Sequence, residues 1–461
     1  MPQDPTLMSR PNILLLTIDS LRPDMLGCYG SPAGLTPNLD RLAASALLFR
    51  QAITGGSWTQ AAFPVLLTSS YASWYGGCLG PLSPRRPSPI AALSAHGYHT
   101  LGFSTNPLLS REQGYARGFD SFSDLIPEER DPRLRRLKRG EWMLRLPTTH
   151  RLARALGARS RPARLYVSAE KVVDEVCRAL GRAEAPFFIW AHFMDTHWPY
   201  HIEETLKEPG EIAQAWRDLV YMHRANRKGR ALTAAERSRF RQLYQEALRF
   251  TDAQVGRVLS QLRESGLAED TVILIVSDHG EELMERSHWG HFEINLYDEI
   301  LRVPLLIYFP DSRGGERIER QVRTLDLMPT ILDLCQCPLP PGIEGISLAP
   351  LWKGGAEAYS APESISEMWR THRHIIAVRT ESRKYIWDSS QPELRQLFDL
   401  KRDPSERSNI AGDEPAEVAR LQSIVDSHIR LGGRAGGDAE FVQVETDREV
   451  LRRLKDLGYL D

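Results

Sequence analysis

"NILLLTIDS", Asn12–Ser20, is an unbroken apolar run that stops abruptly on an aspartate and a serine. A short apolar run without alternation marks a strand buried on both faces, the kind found inside a parallel sheet. Its charged end then falls at the carboxyl edge of the sheet, where open α/β folds hold their ligands. Three more runs repeat the pattern: "PFFIWAHF" (186–193), "TVILIVSD" (271–278) and "VPLLIYFP" (303–310). Amphipathic stretches separate them. "TPNLDRLAASALLF" (36–49) reads as a helix with Thr36 as N-cap and Pro37 in the first turn, and "YQEALRFTDAQVGRVLSQLRESG" (244–266) as a longer one closed by glycine. Strands alternating with helices predict an α/β sandwich around a mostly parallel sheet.

Asp19, Asp195, His197, Asp278 and His279 each follow a hydrophobic run, so all five are expected on one rim. Asp278 and His279 combine a hard oxygen ligand with an imidazole. With Asp19 they predict a divalent-ion site. Thr59, in "GSWTQAAFPVLLTS" (56–69), completes it if its loop reaches the same edge, because a cation would make its hydroxyl a usable nucleophile.

The rest of the chain bounds this reading. It has 461 residues, enough for one large domain and a smaller one, expected at 10–355 and 356–461. Lys and Arg number 58 against 60 Asp and Glu, so no basic footprint points to nucleic acid. The five cysteines are scattered and odd in number, which argues for reduced thiols rather than a disulfide framework. The N-terminus lacks a basic region followed by a long apolar core, and a cytoplasmic location is expected. Residues 130–165 carry about a dozen basic side chains and two acids. They read as a solvated helical insertion, with a lid or a contact with an anionic membrane face as the alternative. "HIIAVRTESRKYIWD" (374–388) and "LRQLFDL" (394–400) predict an antiparallel sheet, and "DREVLRRLKDLGYL" (447–460) a final amphipathic helix.

Five ordered motifs resemble those of sulfatase-like members of the alkaline phosphatase superfamily. They are "ILLLTIDSLRPDMLGCYGSPAGLTPNLDRLAASALLF", "SWTQAAFPVLLTS", "FFIWAHFMDTHWPY", "VSDHGEELMERSHWGHFEINLYDEILRVPLLIYFP" and "ELRQLFDLKRDPSERSNIA". The resemblance spans nearly the whole chain and implies that superfamily's three-layer α/β sandwich with a smaller C-terminal α+β subdomain. It implies that Asp19, Asp278 and His279 bind metal and that Thr59 is the nucleophile touching it. His197 and His291 match residues that contact the oxygens of the transferred group, and Asn106 lies in a stretch that lines the pocket. One divalent ion is expected, Mn²⁺, Mg²⁺ or Ca²⁺ ahead of Zn²⁺ because oxygen ligands outnumber nitrogen. The Asp-x-His spacing of Asp195 and His197 differs from that of binuclear members, so a second ion is not expected.

The departures from the family pattern bear on function. Sulfatases that this chain resembles carry Cys or Ser, then Pro, then Arg in the loop, and oxidise the first residue to formylglycine. Here those positions hold Thr59, Ala61 and Phe63, while Thr105 stands near the usual pocket lysine and Ser20 replaces a second aspartate ligand. A phosphothreonine can be opened by attack at phosphorus, whereas a sulfated threonine would need water to displace it at sulfur. A metal-dependent hydrolase or transferase is therefore expected, acting on a small anionic ester, a phosphodiester by preference, through a Thr59 intermediate. The alternatives are a sulfatase working without formylglycine and a catalytically silent binding protein. Neither the leaving group nor the oligomeric state can be read from the chain.

Overall fold

Alternate residues of β1 (Asn12–Ile18) leave the strand on opposite sides, and apolar layers cover both. Leu14, Leu16 and Ile18 join Leu39, Val172 and Val255, whereas Ile13 and Leu15 join Phe63 and Ile331. The first layer comes from α1 (Pro37–Ala43), α4 (Ala169–Leu180) and α6 (Ala234–Glu264); the second comes from α2 (Thr59–Thr68), α3 (Pro89–Ala95) and α8 (Leu327–Leu334). Two further helices, α5 (Pro209–Ala225) and the short α7 (Asp298–Leu301), complete this part of the chain. This computed structural model describes residues 10–126 and 166–436, apart from 33, 201, 203–205, 226–231, 287, 292–294, 312–314, 355–358, 361–362 and 371–372. The basic stretch 130–165 and the expected terminal helix at 447–460 lie outside the described residues.

The central sheet has eight strands. From one edge they run β10 (Arg317–Arg323), β2 (Ala46–Ile53), β9 (Arg302–Tyr308), β6 (Thr271–Val276), β1, β5 (Phe187–Phe193), β3 (His99–Ser104) and β4 (Ser121–Asp124). Only β9 is antiparallel to its neighbours, so β1, β2, β5 and β6 all end at the same edge. Thr17 lies opposite Val276 on one side and His192 on the other. Asp19 and Asp278 are each two residues past the first of these pairs, and they leave neighbouring strands at one level, on the side covered by α2.

The stretch expected as one helix over 36–49 divides. Helix α1 stops at Ala43, and Ala46 begins β2, whose Leu47, Leu48 and Phe49 pair with β9. Sheet pairing on both sides outweighs helical periodicity there. The Thr36 hydroxyl meets the Asp40 carboxylate and accepts from the Gly27 N–H rather than capping a helical amide. All five cysteines are free thiols, and no described helix is long and apolar enough to cross a membrane.

After the sandwich, β11 (Ser364–Arg370), β12 (Arg373–Arg379), β13 (Arg383–Asp388) and β14 (Gln396–Asp399) form an antiparallel sheet. Helix α9 (Pro415–Gly436), which hydrophobic patterning did not single out, covers it through Val418, Leu421 and Val425. Buried charges join this subdomain to the sandwich. Asp298 receives Arg379 at 2.9 Å and Lys384 at 2.9 Å, and Lys384 also meets Glu406 at 2.8 Å. Glu367 lies beside the backbone that leads to Thr59: its N–H donates to the Gly55 carbonyl, and its carboxylate meets His374 and His428, each at 3.0 Å.

Burial alone would raise the Glu367 carboxyl, but the two histidines hold it well below its ordinary value. A depressed folded-state value stabilises the fold above the unfolded value and loses that contribution as pH falls through the folded one. Glu367→Gln should therefore lower stability at pH 7, and the gap from the native protein should narrow below about pH 4.5, as read by denaturant unfolding across pH. Asp298→Ala leaves two buried cations without their shared partner and should cost about 3–5 kcal/mol in the same measurement.

Candidate metal centre

Asp19, Asp278 and His279 are fully buried, and one ligand atom from each lies within 4.8 Å of the others. Asp19 Oδ1 is 3.8 Å from His279 Nε2, and Asp278 Oδ2 is 3.4 Å from the same nitrogen. The fit to a cation can be judged from the hydrogen bonds. His279 Nδ1 lies 2.8 Å from the Gly280 carbonyl, which can only accept, so Nδ1 carries a proton and Nε2 faces the two carboxylates. Asp278 Oδ2 and His279 Nε2 make no hydrogen bond, although both are buried. Two carboxylates and one imidazole form a donor set that suits a hard divalent ion.

The electrostatics agree. Burial raises the Asp19 carboxyl, but His197, His192 and His279 outweigh it and hold the group well below the carboxylate range. Asp278 is pushed up to about 6, by burial first and by the charge of Asp19 second. Burial would lower His279, yet Asp278 and Asp19 carry it upward. These are the signs of surplus negative charge in a dry place.

Local backbone chemistry fixes these side chains. Ser20 has a left-handed φ of 57°, uncommon for a residue with a Cβ. Its N–H donates to Asp278 Oδ1 at 3.2 Å, its carbonyl accepts from Tyr244, and its hydroxyl donates to Asp19 Oδ1 at 2.8 Å. Thus the residue standing where a second aspartate is often found ties the two carboxylates together. Gly280 must be glycine, since a Cβ there would come within 2.2 Å of the Glu299 carbonyl oxygen.

Thr59 is buried and opens α2 directly after β2, at the edge where Asp19 and Asp278 emerge. Trp58 precedes this helix, so Thr59 stands in its first turn, where the positive end of the helix dipole lies. Gly56 lets the loop fold onto the first turn, because a Cβ would lie 2.5 Å from Ala61. Phe63 is one turn beyond Thr59 on the same helical face. Its ring meets the His192 ring edge-on at 4.9 Å, and His192 Nε2 is 3.4 Å from Asp19 Oδ2.

His197 and His291 come together, with ring centroids 5.0 Å apart, and His291 is 4.4 Å from the His279 ring. His197 Nδ1 contacts the Trp198 carbonyl, and burial lowers this imidazole to about 4. His291 Nδ1 is 3.1 Å from Glu281 Oε2. Asn106 is buried, but its amide is engaged locally, accepting from the Leu108 N–H and contacting Met194 sulfur. Asp195, expected on the rim, follows the end of β5 and accepts the Ala169 N–H at the start of α4. Its carboxylate serves as a helix-end acceptor.

Two residues of this neighbourhood escaped sequence reasoning. Glu281 is fully buried and pushed up to about 7 by burial, with Ser20 and Tyr200 among its partners. His192 is the sole histidine in an otherwise apolar strand. That polarity was the available signal, but only the β1–β5 register puts it beside Thr17 and Asp19.

Comparisons with known proteins identify the family and the fold. The Sulfatase family model matches residues 11–337, and the model described as N-sulphoglucosamine sulphohydrolase, C-terminal, matches residues 287–429. Arylsulfatase K of Gallus gallus is 25% identical over 92% of this chain and 84% of its own length. The multifunctional alkaline phosphatase superfamily protein PehA of Trinickia caryophylli is 27% identical, over 90% of this chain and 94% of that protein. Among solved structures, the phosphonate monoester hydrolase of Agrobacterium radiobacter superposes with a TM-score of 0.71 at 23% identity, covering 92% of this chain and 96% of that one. At that identity the likeness carries the fold.

A divalent ion that binds only the folded chain should raise its thermal midpoint with concentration, the gain reaching about 2.7 kcal/mol at a hundredfold excess over Kd. Titration with Mn²⁺ in a thermal melt should show this for the native protein. Asp278→Asn should melt at or above the metal-free native midpoint, since it removes a buried like charge, and should lose the response to Mn²⁺.

Proposed function

We propose that this chain, which belongs to the sulfatase family and is an enzyme acting on ester bonds, cleaves a phosphate ester, a phosphodiester by preference. One observation carries the reading: the loop at the head of α2 offers a threonine, with Ala61 and Phe63 buried in apolar packing behind it. Neither thiol nor loop arginine is present for the formylglycine route that the family pattern implies.

A divalent ion held by Asp19, Asp278, His279 and Thr59 would neutralise charge on the transferred group and lower the pKa of the threonine hydroxyl. The remaining work falls to this chain's side chains. Thr59 Oγ1 forms a bond to phosphorus as the bond to the leaving oxygen breaks. His197 and His291 would contact the oxygens of the transferred group; the neutral His197 would take up the threonine proton, and His291, beside Glu281, would protonate the departing alcohol. The proton that alcohol gains balances the one the threonine gives up. Water, or an acceptor alcohol in a transferase, then opens the phosphothreonine and restores the hydroxyl. Glu281 holds His291 by Nδ1, which directs Nε2 toward the reacting group. Asn106, with its amide engaged locally, serves the pocket wall.

Sulfate ester hydrolysis is the second reading. The full-length likeness to arylsulfatase K favours it, as does the family model itself. It requires attack at sulfur by water on a threonine sulfate, which the residue chemistry disfavours.

Purified, Mn²⁺-loaded protein assayed on aryl phosphodiester, phosphomonoester, phosphonate and sulfate esters ranks these readings. The phosphodiester should turn over fastest, and Thr59→Ala should lower its kcat/KM by at least about 10³-fold with an unchanged melting curve. Sulfate ester turnover alone would overturn the phosphate reading, and full activity in Thr59→Ala would overturn the nucleophile.

A further inference from the structure

His192 has no part in the chemistry above, yet it is fully buried against a carboxylate of the metal centre. It lies on β5 opposite Thr17 of β1. The indole Nε1–H of Trp190, which can only donate, reaches Thr17 Oγ1 at 3.0 Å. Thr17 Oγ1 is 2.9 Å from His192 Nδ1 and 3.4 Å from the Ala191 carbonyl. The hydroxyl can give its own proton to either of these acceptors, and His192 Nδ1 is the nearer. A neutral imidazole that accepts at Nδ1 carries its proton on Nε2. Nε2 lies 3.4 Å from Asp19 Oδ2, and neither atom makes a hydrogen bond.

The same accounting separates His192 from His279. His279 donates through Nδ1 to a carbonyl and turns a lone pair toward the carboxylates. His192, if it accepts at Nδ1, turns an N–H. It also lies outside the set of ligand atoms gathered within 4.8 Å, which among the described residues comprises Asp19, Asp278 and His279. Asp19 is thus divided: Oδ1 faces His279 and receives the Ser20 hydroxyl, while Oδ2 faces His192. The Phe63 and Trp190 rings flank the imidazole at 4.9 Å and 6.3 Å and limit its rotation.

We propose that His192 is a positioning residue for the metal centre, held by the Trp190–Thr17 chain as its Nε2–H tautomer so that it donates to Asp19 Oδ2 and turns Oδ1 toward the ion. This role rests on Asp19 as a metal ligand and is independent of whether the substrate is a phosphate or a sulfate ester. Partners of this kind characteristically change metal affinity by about 10- to 100-fold when removed.

The test uses the full chain and Mn²⁺ alone. Isothermal titration should show His192→Ala binding Mn²⁺ about 10- to 100-fold more weakly than the native protein. His192→Gln, whose amide nitrogen can place a donor near the lost Nε2, should recover binding to within about threefold. Long-range ¹H–¹⁵N spectra of the metal-free, histidine-labelled protein should report Nε2–H for His192, and Thr17→Val should shift that tautomer balance. An Nδ1–H tautomer in the native protein would overturn the proposal even if His192→Ala fails to fold. Equal losses in His192→Gln and His192→Ala, with native melting curves, would overturn the positioning role alone. Native protein that binds no Mn²⁺ would overturn the metal centre and this role with it.

Discussion

Two carboxylates at neighbouring strand ends, Asp19 and Asp278, share a site from which water is excluded. Like charges in a dry place repel, and each also loses hydration that must be replaced. The surroundings of the pair follow from that constraint. Ser20 accepts an uncommon backbone conformation to donate to both carboxylates. His279 lies between them, and His192 lies behind one of them. The strand register creates the problem, because β1 and β6 run parallel and in step, and their tips reach the same height on one face. The same register is what makes the site a strong place for a cation.

The helix that carries Thr59 is placed by apolar contacts. Phe63, Leu66 and Leu67 pack among Trp190, Phe188 and Leu274 on the face where Asp19 and Asp278 emerge. Behind the loop, the C-terminal subdomain supplies the rest of the support. Glu367 accepts the Ser73 N–H, pairs with two histidines and donates its own N–H to Gly55. A buried carboxylate with this many partners is costly to move, so the backbone entering Thr59 is anchored on both sides.

Much of this was legible in the chain because buried parallel strands are written as apolar runs. Where such a run ends on Asp19 or on Asp278 with His279, the three side chains that gather at one edge of the sheet could be read directly. Other residues depended on facts no local pattern contains. His192 acquires meaning only when β5 is laid beside β1, and Glu281 only when Ser20, Tyr200 and His291 surround it. Asp195 sat at a strand end like the others but was claimed by the amide of Ala169. The apolar residues of 46–49 had a helical period, and sheet pairing overrode it. Helix α9 carries Val418, Leu421 and Val425 at helical spacing, a period present in the chain but not read from it.

The substitutions in the loop and on the strand are better understood together than singly. An arginine at position 63 would bring a permanent charge into the pocket between α2 and β5. Phe63 fills that pocket with a ring instead, in contact with Trp190, Tyr115 and His192. A phenyl group cannot hydrogen-bond to Asp19, and the side chain that faces the outer oxygen of that carboxylate is His192 on the neighbouring strand. In the proposed reaction Thr59 would then depend on the cation and the helix end for electrostatic help, a balance suited to an anionic ester whose own charge the ion could offset.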